Sequence, residues 1–299
     1  MELHQIRYFV AVAETGNFTR AARRCFVSQP SLSQQIQKLE DELGKRLFDR
    51  LGRRAELTAS GQAFLERARR ILQDVDDATR AVQNEADAGM IRLGIVPTVA
   101  PYLVPELLSR LRSEQPGVQF NILEDFRSYL VEQIVAGKLD AAILTLPPDD
   151  PRLESETLVI EPLVVALSAR HPLAAKKELA PSDLDGQRLV LLGDSSSLAL
   201  QARRFFGEHK LNIEVAGRCA QVKTVKILVA GGVGVAILPQ MATGRDQVAG
   251  VAYRDVAGDP PRREIKLVRH RLRFHSRAEE RFREVLRLFC TERYGKLPA

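Results

Sequence analysis

Between Thr58 and Asp87 the chain has no proline and a single glycine, Gly61, close to the start. Within this stretch Phe64, Ala68, Ile71, Val75, Ala78 and Val82 recur at alternating spacings of four and three, the a/d seam of a coiled coil. The remaining positions are mostly Arg, Asp, Glu and Gln. A long charged helix with so narrow an apolar seam needs a partner helix. The simplest partner is the same helix from a second copy of the chain; the competing reading is a helix packed on its own domain. Either way it divides the chain into a head, 1–58, a linker and dimerisation helix, 59–88, and a larger region, 89–299.

The head reads as three helices and a basic hairpin. Leu3, Ile6, Phe9, Val10 and Ala13 stripe a first helix that ends near Gly16. Asn17 is placed to cap a second helix around Ala21 and Ala22, and a turn comes next through Cys25, Phe26 and Val27. Ser28 then caps a third helix, with Pro30 in its first turn, where a missing N–H is harmless. Leu32, Ile36, Leu39 and Leu43 are expected to face inward, and Gly44 to stop the helix. That leaves Gln29, Ser31, Ser33, Gln34, Gln37 and Lys38, with Pro30, toward solvent. Small hydroxyls and amides near a helix N-terminus suit the base edges of a major groove. An ordinary helical hairpin with a polar face has the same pattern. The next stretch of chain favours DNA: Leu47–Thr58 reads as a hairpin carrying Arg50, Arg53 and Arg54 at or near its turn, which completes a winged helix-turn-helix. Arginines there suit phosphates or a minor groove, the alternative being a solvated turn.

The formal net charge of +6 permits a polyanionic partner without requiring one. The start, M-E-L-H-Q-I-R, is amphipathic and unlike a secretion signal, and no apolar run is long enough to span a bilayer. Cys25, Cys219 and Cys290 are odd in number and show no C-x-x-C spacing, which argues against a disulfide framework or a zinc site and fits the cytoplasm.

From Gly89 the pattern alternates strand and helix. Strands are expected at Ile91–Val96, Val118–Leu123, Ala141–Leu144, Leu189–Leu192, near Ile213, at Val235–Leu238 and at Ile265–Val268. Helices are expected from Thr98, over Tyr129–Ala136, Leu198–His209 and Val222–Ala230, and from Ser276 to Arg293; Leu158–Leu167 is extended. The result is an α/β region of two lobes, 89–161 with 266–299 and 162–265, between which the chain crosses near Glu161 and Glu264. Open α/β sheets bind ligands in the crevice at their strand ends. Helix N-termini carrying Thr98 on one side and Ser195, Ser196 and Ser197 on the other would favour a carboxylate or phosphate there. The same residues are equally plain helix caps. Arg127 and Ser128, and Gln221 and Thr224, are further effector-binding candidates.

Gly231, Gly232 and Gly234 come after a helix and precede a strand, the reverse of a dinucleotide fingerprint. His4, His171, His209, His270 and His275 fall in no metal spacing and beside no nucleophile, and each reads as a surface residue. No cofactor, metal or enzyme constellation emerges. A solute-binding module of the transport type would share the two lobes, but it would call for an export signal and no winged helix.

Several motifs carry a resemblance that covers essentially the whole chain. F-x-x-V-A-E-T-G-N-F-T-R-A-A (Phe9–Ala22), V-S-Q-P-S-L-S-Q-Q-I-Q-K-L-E (Val27–Glu40) and L-G-x-x-L-F-D-R (Leu43–Arg50) resemble the DNA-binding domain of LysR-type transcriptional regulators. G-V-G-V-A-I-L-P (Gly232–Pro239) is similar to a segment of the same family's effector domain. The resemblance implies a winged helix-turn-helix, a dimerising linker helix and a two-lobed effector domain of periplasmic-binding-protein type. It also implies tetramers built as dimers of dimers, a small effector that alters DNA bending, and contact with RNA polymerase. I-V-P-T-V-A-P-Y-L-V-P (Ile95–Pro105) and G-K-L-D-A-A-I-L (Gly137–Leu144) resemble the peroxide-sensing branch in particular. That branch's redox cysteine pair corresponds here to Ser197 and Phe206, which can form neither a sulfenate nor a disulfide. A ligand-independent or redox-responsive regulator of the same family is the alternative, with Cys219 its one thiol near this region.

Overall fold

Two side-chain caps and two left-handed glycines set the helix boundaries of the head. In this computed structural model, residues 1–51, 54–83, 89–244, 247–295 and 297 are described, without the side chains of 50, 51, 54, 70, 73, 77, 78 and 80–83. Helix α1 (Leu3–Thr15) ends on Gly16 at φ 61°. The Asn17 carboxamide oxygen accepts from the N–H groups of Thr19 and Arg20 at 2.9 and 3.0 Å and starts α2 (Phe18–Arg24). The Ser28 hydroxyl accepts from Ser31 N–H and starts α3 (Gln29–Leu43), which Gly44 closes at φ 64°. The next element is a hairpin, β1 (Phe48–Leu51) antiparallel to β2 (Arg54–Leu57). Phe9, Val12, Ala21, Ala22, Leu32, Ile36, Leu39 and Phe48 form the core beneath. Leu43, expected inside, is 38% exposed: beyond Glu40 every residue of α3 faces solvent, because the core ends one turn earlier.

Helix α4 (Ala59–Gln83) is the expected linker, but the first half of its seam is used inside the head. Phe64 lies 5.0 Å from Phe9, ring centre to ring centre. Ala68 is fully enclosed, and Ile71 packs partly against the same core. Ala68 therefore faces its own chain and not a partner, which corrects its assignment as an interface residue. Packing this part of the seam on α1 removes its apolar surface from water within one chain. Val75 is half-buried, and the side chains of Ala78 and Val82 lie outside the described residues. Gly61 has a specific reason: a Cβ there would sit 2.0 Å from the Leu47 carbonyl oxygen, so only glycine lets α4 approach the hairpin.

The chain forms two compact units, Met1–Glu85 and Ala86–Ala299. In the second, β3 (Gly89–Ile95) pairs in parallel with β4 (Val118–Glu124) and β5 (Ala141–Leu144). Helices α5 (Ala100–Glu114) and α6 (Arg127–Val135) form the crossovers. Strand β6 (Leu153–Ser168) runs the length of both lobes. Its first half pairs with β12 (Arg262–His270); its second half pairs with β10 (Ala236–Pro239) and β11 (Val251–Val256). Strand β7 (Glu178–Leu179) extends the sheet beside β11. The second lobe adds β8 (Arg188–Leu192), α7 (Ser197–Glu208), β9 (Glu214–Cys219) and α8 (Val222–Ala230), and α9 (Arg277–Tyr294) closes the chain. The short β7 and β11 were not anticipated, because their pairing comes from β6 and not from their own periodicity. His270 also departs from expectation: at 6% exposure it is buried at the end of β12, where its Nδ1 accepts from Leu272 N–H.

The crossing between lobes rests on one buried ion pair. Glu161 on β6 and Arg263 on β12 stand directly opposite in register and are 4% and 1% exposed. Arg263 Nε donates to Glu161 Oε1 at 2.6 Å, while Glu161 Oε2 accepts from the Met241 N–H at 3.0 Å. The other Arg263 nitrogens donate to the Thr98 hydroxyl and carbonyl at 2.9 and 3.1 Å. Each charge is thus met by several partners, the condition for tolerating burial. Arg263→Met is expected to destabilise the second unit by about 3–5 kcal/mol, because it strands a buried carboxylate. The double variant Glu161→Leu/Arg263→Met should recover most of this in urea unfolding monitored by far-UV circular dichroism.

Candidate nucleic-acid interface and effector cavity

Helix α3 presents Gln29, Pro30, Ser31, Gln34, Gln37 and Lys38 exposed on one side, with Ser33 half-buried. Gln37 Nε2 donates to Asp41 Oδ1 at 3.2 Å, which holds its amide along the helix surface. The apolar side is fixed by Leu32, Ile36 and Leu39, so the polar face can point only outward. Arg50 and Arg54 lie on the paired strands beside the hairpin turn, their side chains not described, and Arg53 falls outside the described residues.

Sequence reasoning missed the residue that fixes the hairpin to α3. Glu40 is 6% exposed, and its Oε1 accepts from Leu47 N–H at 2.6 Å and Phe48 N–H at 3.1 Å. Its place beside Leu39, on the inward side of the helix, was the available signal. Ala55 N–H donates to the Gly16 carbonyl at 3.0 Å and Thr58 N–H to the Leu47 carbonyl at 3.0 Å. Helix α3 and the hairpin are thereby held as one piece.

In the second unit a cavity of about 250 Å³ opens between the lobes, and four helices begin at its wall. Pro101 and Tyr102 of α5, Phe126 and Arg127 at the start of α6, Ser195–Ser197 before and into α7, and Gln221–Lys223 at the start of α8 all line it. Of these starts, α7 is capped by its own side chain, Ser196 Oγ accepting from Leu198 N–H. The starts of α5, α6 and α8 have no side-chain cap. Orphan N–H groups and positive helix ends thus converge on one small space. Arg127 and Lys223 add positive charge and Glu124 one carboxylate. The Arg127 guanidinium donates to the carbonyls of Leu146 and Pro147 at 3.2 and 2.8 Å, so its position is set. Thr145, just past the end of β5, is 1% exposed, lines the cavity, and its hydroxyl has no hydrogen-bond partner among the described residues. An unpaired buried hydroxyl is costly and calls for a partner.

The structure sorts the predicted effector residues. Ser196, Ser197, Gln221 and Arg127 reach the cavity, whereas Ser128 and Thr224 are exposed and do not line it. Each sits one residue past the last cavity-lining position of its helix, where the helical turn carries it away from the opening. Thr98 does line the cavity but does not open α5: Val99 is the cap residue, and the Thr98 hydroxyl is engaged by Arg263. Thr145, Lys223 and Tyr102 were not anticipated from sequence.

Residues 3–62 match the model of the bacterial regulatory helix-turn-helix protein, lysR family, and residues 84–290 that of the LysR substrate binding domain. The chain belongs to the LysR family of transcriptional regulators. A hydrogen peroxide-inducible genes activator of Dickeya chrysanthemi is 35% identical over 90% of this chain and 89% of its own length. The Hca operon transcriptional activator HcaR of Escherichia coli is 35% identical over 87% of this chain and 89% of its own. A full-length OxyR variant from Pseudomonas aeruginosa superposes with a TM-score of 0.76 at 29% identity, covering 97% of this chain and 95% of that one. Full-length CbnR complexed with its target DNA superposes at 0.60 and 27% identity, covering 97% of this chain and all of that one. This LysR-type protein is accordingly a DNA-binding transcriptional regulator with an effector-binding domain, and its relatives are regulators rather than enzymes. Among the described residues no helix is long and apolar enough to cross a membrane, and no group of His, Cys, Asp and Glu is arranged to hold a metal.

Ser197 and Phe206, which the resemblance to the peroxide branch sets against its cysteine pair, are both buried in α7. Burial pushes the thiols of Cys25 and Cys219 above their ordinary range and that of Cys290 up to about 12. Peroxide attacks the thiolate, and a raised pKa lowers the fraction of each thiol present in that form. Equimolar peroxide should leave the free-thiol content and the DNA affinity of this LysR-type regulator unchanged, as read by thiol titration and electrophoretic shift. Glu40→Ala is expected to cost about 2 kcal/mol in denaturant unfolding by stranding two buried N–H groups, and to weaken DNA binding through a loosened wing.

Proposed function

We propose that this regulator is switched by a small anionic metabolite, a carboxylate or phosphate, held in the cavity between its lobes without thiol chemistry. The observation that carries this is the meeting of four helix N-termini with Arg127, Lys223 and the unpartnered Thr145 hydroxyl around one small space. A volume of about 250 Å³ lies below the roughly 300–1,000 Å³ usual for drug-sized ligands, which favours a compact effector. Ser196, Ser197 and Gln221 would accompany it, with Thr98 reporting its presence to Arg263. Ligand in the cleft would favour one angle between the lobes, by no more free energy than its preference for that angle.

On the DNA side, Gln29, Pro30, Ser31, Ser33, Gln34, Gln37 and Lys38 read base edges in a major groove, while Arg50, Arg53 and Arg54 hold the flanking backbone. Two copies associate through α4 beyond Ile71, from Val75 through Ala78 and Val82, and pairs of dimers form a tetramer acting in the cytoplasm as an activator that contacts RNA polymerase. Dimers place two reading helices about 34 Å apart along DNA, or a multiple of that.

Isothermal titration of the full-length protein with small mono- and dicarboxylates and with inorganic phosphate tests the effector. At least one should bind, and Lys223→Ala should weaken it about tenfold by removing a charge-assisted contact. Binding of neutral compounds alone would refute the anionic reading. Gln34→Ala should relax sequence preference by about 1–3 kcal/mol at one base pair in a competition assay at fixed salt. Val75→Asp should dissociate the dimer in light scattering at micromolar concentration by setting a charge in the seam.

A further inference from the structure

The turn between α2 and α3 holds a residue that the free protein does not explain. Helix α2 ends in two reverse bonds: Phe26 N–H donates to the Arg23 carbonyl at 3.2 Å and Val27 N–H to the Ala22 carbonyl at 3.0 Å. This is the Schellman arrangement, whose left-handed position is ordinarily glycine and sometimes asparagine. Here that position is Phe26, at φ 56°. A bulky side chain in that region is strained. The ring also finds no cover, for Phe26 is 95% exposed, against 0–2% for Phe9 and Phe48 in the core below. Backbone and solvent both oppose a phenylalanine here, and no contact among the described residues of the head compensates. Strain of this kind collects where a partner is recognised. Phe26 stands two residues before Ser28, the cap of the reading helix, and is continuous with the exposed face that begins at Gln29.

We propose that Phe26 is a specificity residue that packs its ring on a thymine methyl at the edge of the major groove entered by α3. A phenyl ring has no donor or acceptor for base edges or phosphates, and the thymine C5-methyl is the apolar feature of the major groove. The free protein carries the strain and exposure, and the complex removes the exposed ring from water. The proposal rests on the reading of α3 as the base-contacting helix.

The test uses the full-length protein and a duplex that it selects from a randomised library. A second duplex of the same sequence carries deoxyuridine for each thymidine, which removes only the methyl groups. Phe26→Asn should raise the melting temperature, because asparagine tolerates the left-handed backbone, and should weaken binding to the thymidine duplex about tenfold. Removing the methyls should weaken the wild type to a similar degree and leave Phe26→Asn nearly unaffected. Phe26→Leu, still apolar, should fall between. Unchanged affinity of Phe26→Asn, or equal sensitivity of wild type and Phe26→Asn to methyl removal, would overturn the proposal. Gln34→Ala serves as the control. If it weakens binding while Phe26→Asn does not, only the role of Phe26 falls; if it leaves sequence preference intact as well, the reading of α3 falls with it.

Discussion

The second unit is organised around a cross-strand ion pair where its chain passes from one lobe to the other. Glu161 and Arg263 face each other on β6 and β12, both out of contact with water. Two opposite charges survive there because each is completed by neighbours: Met241 N–H on the carboxylate, and the Thr98 hydroxyl and carbonyl on the guanidinium. Those neighbours come from different places. Met241 comes just after β10 in one lobe, and Thr98 stands in the turn between β3 and α5 in the other. The pair therefore ties both lobes to the crossing strands and sets the wall of the cavity in the same contact. Anything that moves Thr98 moves a partner of a buried charge, where the low dielectric makes small displacements matter.

The cavity arises from the α/β pattern. Helices that succeed parallel strands start at the same edge of a sheet, and two lobes facing each other bring such edges together. The three uncapped starts leave their first N–H groups to be met by solvent or by a ligand. Thr145 adds a hydroxyl to the lining, and Arg127 is held in place by two carbonyls. The lining offers hydroxyls, an amide and charged groups and holds no cysteine. That agrees with the serine and phenylalanine, Ser197 and Phe206, where the resemblance to the peroxide branch would call for cysteines.

In the head, α3 owes its orientation to what lies behind it. Leu32, Ile36 and Leu39 fix its inner face, Ser28 its start, and Glu40 its link to the wing. The first turns of α4 complete the head's core through Phe64, Leu65 and Ala68, so these seam positions are taken up within the chain itself.

Local and periodic features were legible in the sequence. The caps at Asn17 and Ser28, the stops at Gly16 and Gly44, the hairpin, α8 and β5 all appear where their residues predict, because each is decided by neighbours within one turn or one strand. The polar face of α3 was legible for the same reason. What the sequence could not decide is what meets across distance. Leu43 is exposed because the core stops short of it, Ala68 is enclosed because α1 covers it, and His270 is buried at a strand end. Thr98 is bound by a residue 165 positions away. Thr145 and Lys223 line the cavity through contacts between lobes, and Gly61 must be glycine because a carbonyl 14 residues back along the chain, that of Leu47, occupies the space (61 − 47). Sequence determined which helices and strands form and which face of each is apolar, since these depend on periodicity and local hydrogen bonds. Tertiary structure alone decided which polar groups are buried together, since that depends on how separate elements close on one another.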